Sequence, residues 1–349
     1  MLISQMETEA LSAPQILMKQ FVANQQLLQA LADRLRKEPP AFAMTIARGS
    51  SDHAATFAKY LLETRLGLVT ASAAPSVVTL YKSELHLKNS LVIGLSQSGQ
   101  SPDIAEIFLA ARSAGAITVA FVNHSDSPLA QAAEYVVPLC AGPEIAVAAT
   151  KSYMATLAAI MQFVALWKND KELLDAIARL PEALYAATEM DWSEAIAEYK
   201  DRNNTLVIGR GYSFPIAQEA ALKFKETSRI HAEAFSGAEL LHGPFALVQP
   251  AFPLLMFGQH DVSLPGMLDL ARRVKQMGAR VMLAVPKGSP TEDFHDAASI
   301  VLPLPGALHP VCDPLMIVQT FYVMMSRLAI ARGFNPDAPT NLSKVTMTW

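Results

Sequence analysis

The chain has 349 residues, 51% of them hydrophobic, and its 28 basic and 32 acidic side chains give a formal net charge of −4. This length allows two domains with large cores, and the small negative charge without basic runs argues against a nucleic-acid partner. Two widely separated cysteines, Cys140 and Cys312, argue against a disulfide framework and a zinc site. The longest apolar segment, residues 153–167, is too short to cross a bilayer, and no signal-peptide pattern is visible, so we expect a cytoplasmic protein without a membrane partner.

Residues 12–37 are predicted to form an amphipathic helix. Ser12, Pro14 and Gln15 match a capping-box start, and a Pro-Pro pair at 39–40 ends the element. The apolar residues that share one face are Leu17, Phe21, Leu28, Leu31 and Leu35. Such a helix can pack on its own domain or on another subunit, and the sequence leaves both open.

From residue 41 onward, short apolar runs alternate with helical segments. The predicted strands are 43–47, 68–72, 91–95, 117–122 and 135–139, and the predicted helices are 52–66, 102–114, 128–133 and 150–167. This alternation is typical of βαβ units, in which a parallel sheet has helices on both faces. The sequence therefore predicts the α/β class.

The segment 91–106, LVIGLSQSGQSPDIAE, combines a buried strand, a hydroxyl-rich loop and a helix start. Its loop carries Ser96, Gln97, Ser98 and Ser101 beside the unpaired N–H groups of the helix N-terminus, where the helix dipole favours an anion. The simpler alternative is an ordinary N-cap by Ser101 with Pro102 at the first helical position. Because a cap needs one hydroxyl and this loop has three, we favour a phosphate site.

The second half of the chain repeats the plan of the first. IARG at 46–49 recurs as IGRG at 208–211, and three further strand segments recur at almost the same offset, the pairs being 91–94 with 253–256, 114–121 with 277–284, and 135–139 with 300–304. We interpret this as a tandem duplication with a linker near 170–200. The counterpart of the hydroxyl-rich loop, FGQHDVS at 257–263, lacks the cluster of hydroxyls. The two halves are therefore expected to share one phosphate loop.

The segment 217–242 contains the acid–base candidates. Glu219, Lys223 and Glu226 fall on one face of a predicted helix, where the alternative is a solvated, salt-bridged surface. His242 precedes Gly-Pro on a predicted loop. A carboxylate and an imidazole near a phosphate site, without metal-ligand spacing, suit metal-free proton transfer on a sugar phosphate, and no cofactor is expected.

Four motifs, LSQSGQSPD, GPEIAVAATKSY, ALKFKETSRIHAEAFSGAELLHGP and the terminal NLSKVTMTW, resemble the isomerase region of glutamine–fructose-6-phosphate aminotransferase. That region consists of two sugar-isomerase (SIS) domains, and the resemblance covers essentially the whole chain. It implies an N-terminal helical segment at 1–40, SIS domains at 41–180 and 195–335, and an irregular active-site tail at 336–349. It does not include that family's glutaminase domain, whose nucleophile is an N-terminal cysteine.

The resemblance also implies site residues. Those expected to bind the phosphate or contact the sugar are Ser51, Ser96, Gln97, Ser98, Ser101, Val147, Ala149 and Thr150. The aminotransferase has a serine where this chain has Ala149, so one hydroxyl contact is missing. Glu226 is expected to move a proton between carbons 1 and 2, and Lys223 to assist it. His242 is expected to open the sugar ring, reaching into a partner subunit's site, and Lys344 to contact or condense with the open-chain carbonyl.

These roles predict a glucosamine-6-phosphate deaminase that forms fructose 6-phosphate and ammonia, acting as a homodimer with a shared active site. Within the same class, a fructosamine-6-phosphate deglycase or a plain phosphosugar isomerase needs the same apparatus. A non-catalytic sugar-phosphate sensor is the alternative from a different class, and it predicts loss of the glutamate, histidine or lysine that this chain keeps.

Overall fold

The computed structural model describes residues 3–288 and 294–344, so the last five residues of the predicted tail lie outside the described part. The chain forms two compact units. The first-sheet unit contains Gln15–Glu144, Lys151–Ile177, Ser343 and Lys344. Of the described residues, the second-sheet unit contains 3–14, Ile145–Thr150, 178–288 and 294–342.

The elements up to residue 168 are, in chain order, α1 (Gln5–Leu11), α2 (Ala13–Lys37), β1 (Phe42–Ile46), α3 (Ser50–Leu66), β2 (Thr70–Ser72), α4 (Pro75–Thr79), β3 (Ser90–Ser96), α5 (Pro102–Ser113), β4 (Ile117–Val122), α6 (Pro128–Ala132), β5 (Tyr135–Pro138) and α7 (Lys151–Lys168). The predicted first helix corresponds to α2. It is preceded by α1, which the apolar periodicity did not reveal and whose N-cap is Ser4, accepting a hydrogen bond from the Glu7 N–H at 3.0 Å.

The remaining elements are α8 (Lys171–Thr188), α9 (Ser193–Tyr199), β6 (Asn204–Gly209), α10 (Phe214–Ser228), β7 (His231–Ser236), β8 (Pro253–Phe257), α11 (Leu264–Gln276), β9 (Arg280–Lys287), β10 (Ile300–Gly306) and α12 (Asp313–Ala331), with short 3-10 turns at Gly211–Ser213, Glu239–Leu241 and Pro244–Leu247. The predicted linker near 170–200 is helical, formed by α8 and α9. The segment after α10, for which the sequence pattern predicts no strand, contains the edge strand β7.

The first sheet has the strand order β2-β1-β3-β4-β5, and all of its pairings are parallel. Its central strands are buried along nearly their whole length, as expected for a parallel sheet covered on both faces. Part of its core lies between the sheet and α5, where Phe108 packs with Val92 and Leu129. The order reverses direction between β1 and β3, whose carboxyl ends lie side by side with Ile46 opposite Gly94.

The second sheet has the order β7-β6-β8-β9-β10, again all parallel. Strands β6 to β10 therefore occupy the same positions in the second sheet as β1 to β5 occupy in the first. The α/β class and the tandem repeat are therefore confirmed.

Helix α12 is long and apolar enough to span a membrane, but 83% of its apolar window is buried inside the protein. It packs against α10, with Phe321 in edge-on contact with Phe224 at a ring separation of 5.6 Å. Its apolar length is thus explained by burial in the core.

Candidate active site

The loop between β3 and α5 is folded on its own hydroxyl groups. The Gly99 N–H donates to Ser96 Oγ at 2.9 Å, and the Gln100 N–H donates to Ser98 Oγ at 3.3 Å. Gly99 has φ +64°, a conformation that glycine adopts without strain. Because both serine oxygens accept these bonds, their hydroxyl hydrogens remain available to donate to an anion.

Ser101 is the N-cap residue of α5, but its side chain makes no capping hydrogen bond. Its half-buried hydroxyl therefore does not form the capping hydrogen bond that the ordinary N-cap alternative requires. Below it, the buried Asp103 carboxylate pairs with Arg48 at 2.5 Å, which ties the first turn of α5 to the segment after β1. These contacts favour a preformed cradle over a simple cap.

Ser51 lies in the first turn of α3, directly after β1. Since β1 and β3 are neighbours, the Ser51 turn and the loop after Ser96 leave the sheet side by side at its carboxyl edge. This is the point where the strand order reverses, the usual ligand position in open α/β sheets. The sheet topology thus places Ser51, Ser96, Gln97, Ser98 and Ser101 at one edge.

Lys344 also belongs to the first-sheet unit. Its ammonium lies 2.7 Å from Glu144 Oε2, and the Glu144 side chain is fully buried. The same carboxylate accepts hydrogen bonds from the Ser152 N–H at 3.1 Å and the Ser152 hydroxyl at 2.7 Å. Glu144 is not among the predicted site residues, although its position as a lone acid before the apolar run IAVAA indicates a carboxylate that needs a partner when buried.

In the second-sheet unit, α10 carries a buried ionic row and not a solvated face. The side chains of Lys223 and Glu219 are fully buried, and that of Glu226 is 21% exposed. Lys223 Nζ lies 3.0 Å from Glu219 Oε1 and 2.7 Å from Glu226 Oε2. Burial alone lowers the pKa of Lys223, but the two carboxylates outweigh it and raise that pKa above its usual range, so the side chain is an ammonium.

Glu226 lines a pocket of about 730 Å³ in the same unit. The pocket is bounded by the end of α10, including Lys225 and Arg229, and by the segment that follows α12. The Arg229 guanidinium stacks on Phe334 at 4.8 Å and donates to Thr340. A carboxylate held by an ammonium at the wall of an open pocket is suited to accept and return a proton.

The segment 145–150 belongs to this second-sheet unit as well. Glu9 accepts hydrogen bonds from the backbone of residues 145 and 146, and the Val147 N–H donates to the Asp337 carbonyl at 3.0 Å. Ala149 is half-buried and Thr150 is fully buried. The backbone of the predicted sugar-lining segment is thus held from both sides.

His242 is exposed on the loop after the 3-10 turn Glu239–Leu241, followed by Gly243 at φ +125°. Among the described residues, its imidazole has no hydrogen-bond partner, and it therefore makes no hydrogen bond to Glu226 of the same chain. Within residues 3–288 and 294–344, no three His, Cys, Asp or Glu side chains cluster as metal ligands.

The SIS-domain model matches two segments of the chain, residues 43–166 and 198–330. The chain belongs to the SIS-domain family. The two matched segments contain the two sheets described above, so each repeat is one SIS domain.

The SIS chain is similar to proteins of sugar-phosphate metabolism. It is 34% identical to glutamine–fructose-6-phosphate aminotransferase (isomerizing) of Methanothermobacter thermautotrophicus over 86% of this chain and 50% of that protein. The chain spans about half the length of the curated relatives it matches. This confirms the homology to that enzyme family.

Two solved structures are similar to this chain in fold as well as in sequence. One is a protein of Silicibacter pomeroyi DSS-3 assigned provisionally as a phosphosugar isomerase, with 38% identity, a TM-score of 0.89, and coverage of 96% of this chain and 100% of that one. The other is the C-terminal domain of glucosamine-fructose-6-phosphate aminotransferase from Francisella tularensis, with 25% identity, a TM-score of 0.87, and coverage of 97% and 99%. The SIS chain therefore corresponds to the C-terminal domain of that aminotransferase.

Proposed function

We propose that this SIS protein is a glucosamine-6-phosphate deaminase, converting glucosamine 6-phosphate and water to fructose 6-phosphate and ammonia. The observation that carries the proposal is the Glu226 carboxylate, held by the buried Lys223 ammonium at the wall of an open pocket. The names of the relatives supply the substrate class, because an aminotransferase of this family joins fructose 6-phosphate and an amino group.

In this proposal, the loop after β3 binds the phosphate. The hydroxyls of Ser96, Ser98 and Ser101 and the amide of Gln97 donate to its oxygens, beside the N-terminus of α5. Ser51 approaches from the first turn of α3. Binding at the phosphate end leaves carbons 1 and 2 of the opened sugar for the acid–base groups.

The proton transfer is assigned to Glu226. His242 assists ring opening, which exposes the aldehyde at carbon 1. Glu226 takes the proton from carbon 2 while the Lys344 ammonium protonates the aldehyde oxygen to a hydroxyl, and Lys344 regains this proton from the water that later adds to carbon 2. Glu226 then returns its proton to carbon 1, which leaves an iminium at carbon 2. Water adds to carbon 2, ammonia leaves, and fructose 6-phosphate remains.

The direct test is to incubate the purified protein with glucosamine 6-phosphate and to measure ammonia and fructose 6-phosphate, which are expected in equal amounts. Glu226→Gln is expected to lower turnover by a factor of about 10² to 10⁴ while substrate binding, measured by calorimetry, is retained. Glu233→Gln, a change in an exposed carboxylate on β7, is the control and is expected to leave turnover unchanged. Absence of ammonia at micromolar enzyme contradicts the deaminase.

One observation favours a second candidate, a fructosamine-6-phosphate deglycase. The pocket beside Glu226 has room for a substituent on the nitrogen, and Lys225 and Arg229 line it as partners for a carboxylate. A panel of glucosamine 6-phosphate, fructosamine 6-phosphates and hexose 6-phosphates distinguishes deaminase, deglycase and plain isomerase by the preferred kcat/KM. Binding of the whole panel without turnover supports the sensor.

We assign the exposed His242 to the active site of a second subunit in a homodimer. This assignment is tested by mixing two inactive variants, Glu226→Gln and His242→Ala, after reversible dissociation. In mixed dimers, one of the two sites contains both native residues only if the histidine crosses the interface. Recovery of activity on mixing supports the shared site, and no recovery from demonstrably mixed dimers contradicts it.

A further inference from the structure

A chain of hydrogen bonds connects the core helix α12 to the wall of the Glu226 pocket. The Tyr322 hydroxyl, on α12, donates to Glu219 Oε1 at 2.9 Å. The same oxygen lies 3.0 Å from Lys223 Nζ, which in turn lies 2.7 Å from Glu226 Oε2. Tyr322, Glu219 and Lys223 are fully buried, whereas Glu226 is the member that reaches the pocket.

We infer that Tyr322 is a positioning residue for proton transfer, acting through Glu219 and Lys223 on the Glu226 carboxylate. The inference rests on the proposed role of Glu226 as the base. Tyr322 itself lies in the core and contributes no atom to the reaction, because Glu219, Lys223 and Glu226 separate it from the substrate.

Glu219 and Glu226 compete for the single ammonium of Lys223. Lys223 has carboxylates on both sides, so a Glu219 side chain with no other donor draws the ammonium away from Glu226. The Tyr322 hydroxyl supplies Glu219 Oε1 with a second donor and fixes the rotamer of that carboxylate. Lys223 is then held where it contacts Glu226 at 2.7 Å, which keeps the base oriented toward the pocket.

The neighbours of Glu226 supply no equivalent support among the described residues. Lys225 and Arg229 line the same pocket and are exposed. The strand packed beside α10, β7, carries His231 and Glu233, both exposed. The buried route through Lys223 therefore links the position of Glu226 to the packing of α10 against α12.

The test compares Tyr322→Phe with a matched control, Tyr199→Phe. Tyr199 is also fully buried in this unit, and its hydroxyl pairs at 2.9 Å with Thr205, away from the ionic row. Both variants lose one buried hydroxyl and are expected to lose similar stability. Only Tyr322→Phe is expected to lower kcat, by about tenfold, with KM changed less than twofold, because a hydrogen bond to a charged group is lost.

Two further readouts separate positioning from a purely structural role. With substrate deuterated at carbon 2, Tyr322→Phe is expected to raise the primary isotope effect on kcat, since proton abstraction becomes slower, while Tyr199→Phe leaves it unchanged. In the Glu219→Gln background, Tyr322→Phe is expected to have little additional effect on kcat. A Tyr322→Phe enzyme with wild-type kcat and isotope effect, or with losses equal to those of Tyr199→Phe, overturns the inference.

The inference and the proposed function fail separately. If the wild-type protein turns over no sugar phosphate, the proposed function fails. The position of the Glu226 carboxylate is then monitored by the ¹³C resonance of its carboxyl carbon, and this resonance is assigned by its absence in Glu226→Gln. That resonance is expected to move or broaden in Tyr322→Phe and to stay in place in Tyr199→Phe, and an unchanged resonance in both overturns the inference.

Discussion

Gly99→Ala is the sharpest probe of the hydroxyl-rich loop, because Gly67 offers a matched control. Both glycines have nearly the same left-handed backbone, with φ +64° at Gly99 and +67° at Gly67. A Cβ atom at position 67 meets nothing within 4 Å. At position 99 it meets Ser127, overlapping Oγ and lying 2.6 Å from Cβ.

The difference between the variants isolates the steric overlap from the backbone strain. Alanine in the left-handed region costs about 1–2 kcal/mol at either site. The overlap with Ser127 adds about 1–3 kcal/mol at Gly99 unless the loop moves. If the loop moves, the Gly99 N–H bond to Ser96 and the placement of its hydroxyl are lost.

Urea unfolding and steady-state kinetics are the assays. Gly67→Ala is expected to lose only the strain energy and to keep the wild-type KM. Gly99→Ala is expected to lose more stability or to raise KM for the sugar phosphate by about tenfold or more, since one or two hydrogen bonds to a charged group are worth that factor. If both variants show equal stability and wild-type KM, the loop is not the phosphate cradle.

Three further predictions concern other charged and reactive groups. Glu144→Gln removes the ionic partner of Lys344, so kcat is expected to fall by about tenfold or more; unchanged kcat contradicts a role for the tail lysine. Burial raises the pKa of Asp313 from 3.8 to about 6, so the folded state binds the carboxyl proton of Asp313 more tightly than the unfolded state does. The stabilisation that this proton provides at low pH is lost as the pH rises through 6. The free energy of unfolding of the wild type is therefore expected to fall by about 2 kcal/mol relative to Asp313→Asn between pH 4 and pH 7, and parallel curves contradict this. Burial raises the pKa of both thiols, so a disulfide reagent is expected to label the half-buried Cys140 slowly and Cys312 only after unfolding; rapid labelling of both contradicts the packing.

The tandem repeat and the positions of most strands were predictable because they depend on the local pattern of apolar residues. Apolar runs that are buried on both faces give parallel strands, and a constant offset between such runs implies equal strand order in both halves. The sequence missed β7 because HAEAFS places exposed side chains on an edge strand, where alternation is weak. It could not distinguish a solvated face of α10 from a buried one, since the spacing of Glu219, Lys223 and Glu226 is the same in both cases.

The sequence by itself determined the α/β repeats, the single hydroxyl-rich loop and the identity of the acid–base candidates. Each of these features can be recognised from residues that are close together in the sequence, either as a periodic pattern or as a motif. The tertiary structure decided which charges are buried and what holds them. Glu144 contacts Lys344 across 200 positions, and Tyr322 contacts Glu219 across 103. Such pairs form only when helices and tail pack together, and no spacing along the chain encodes them.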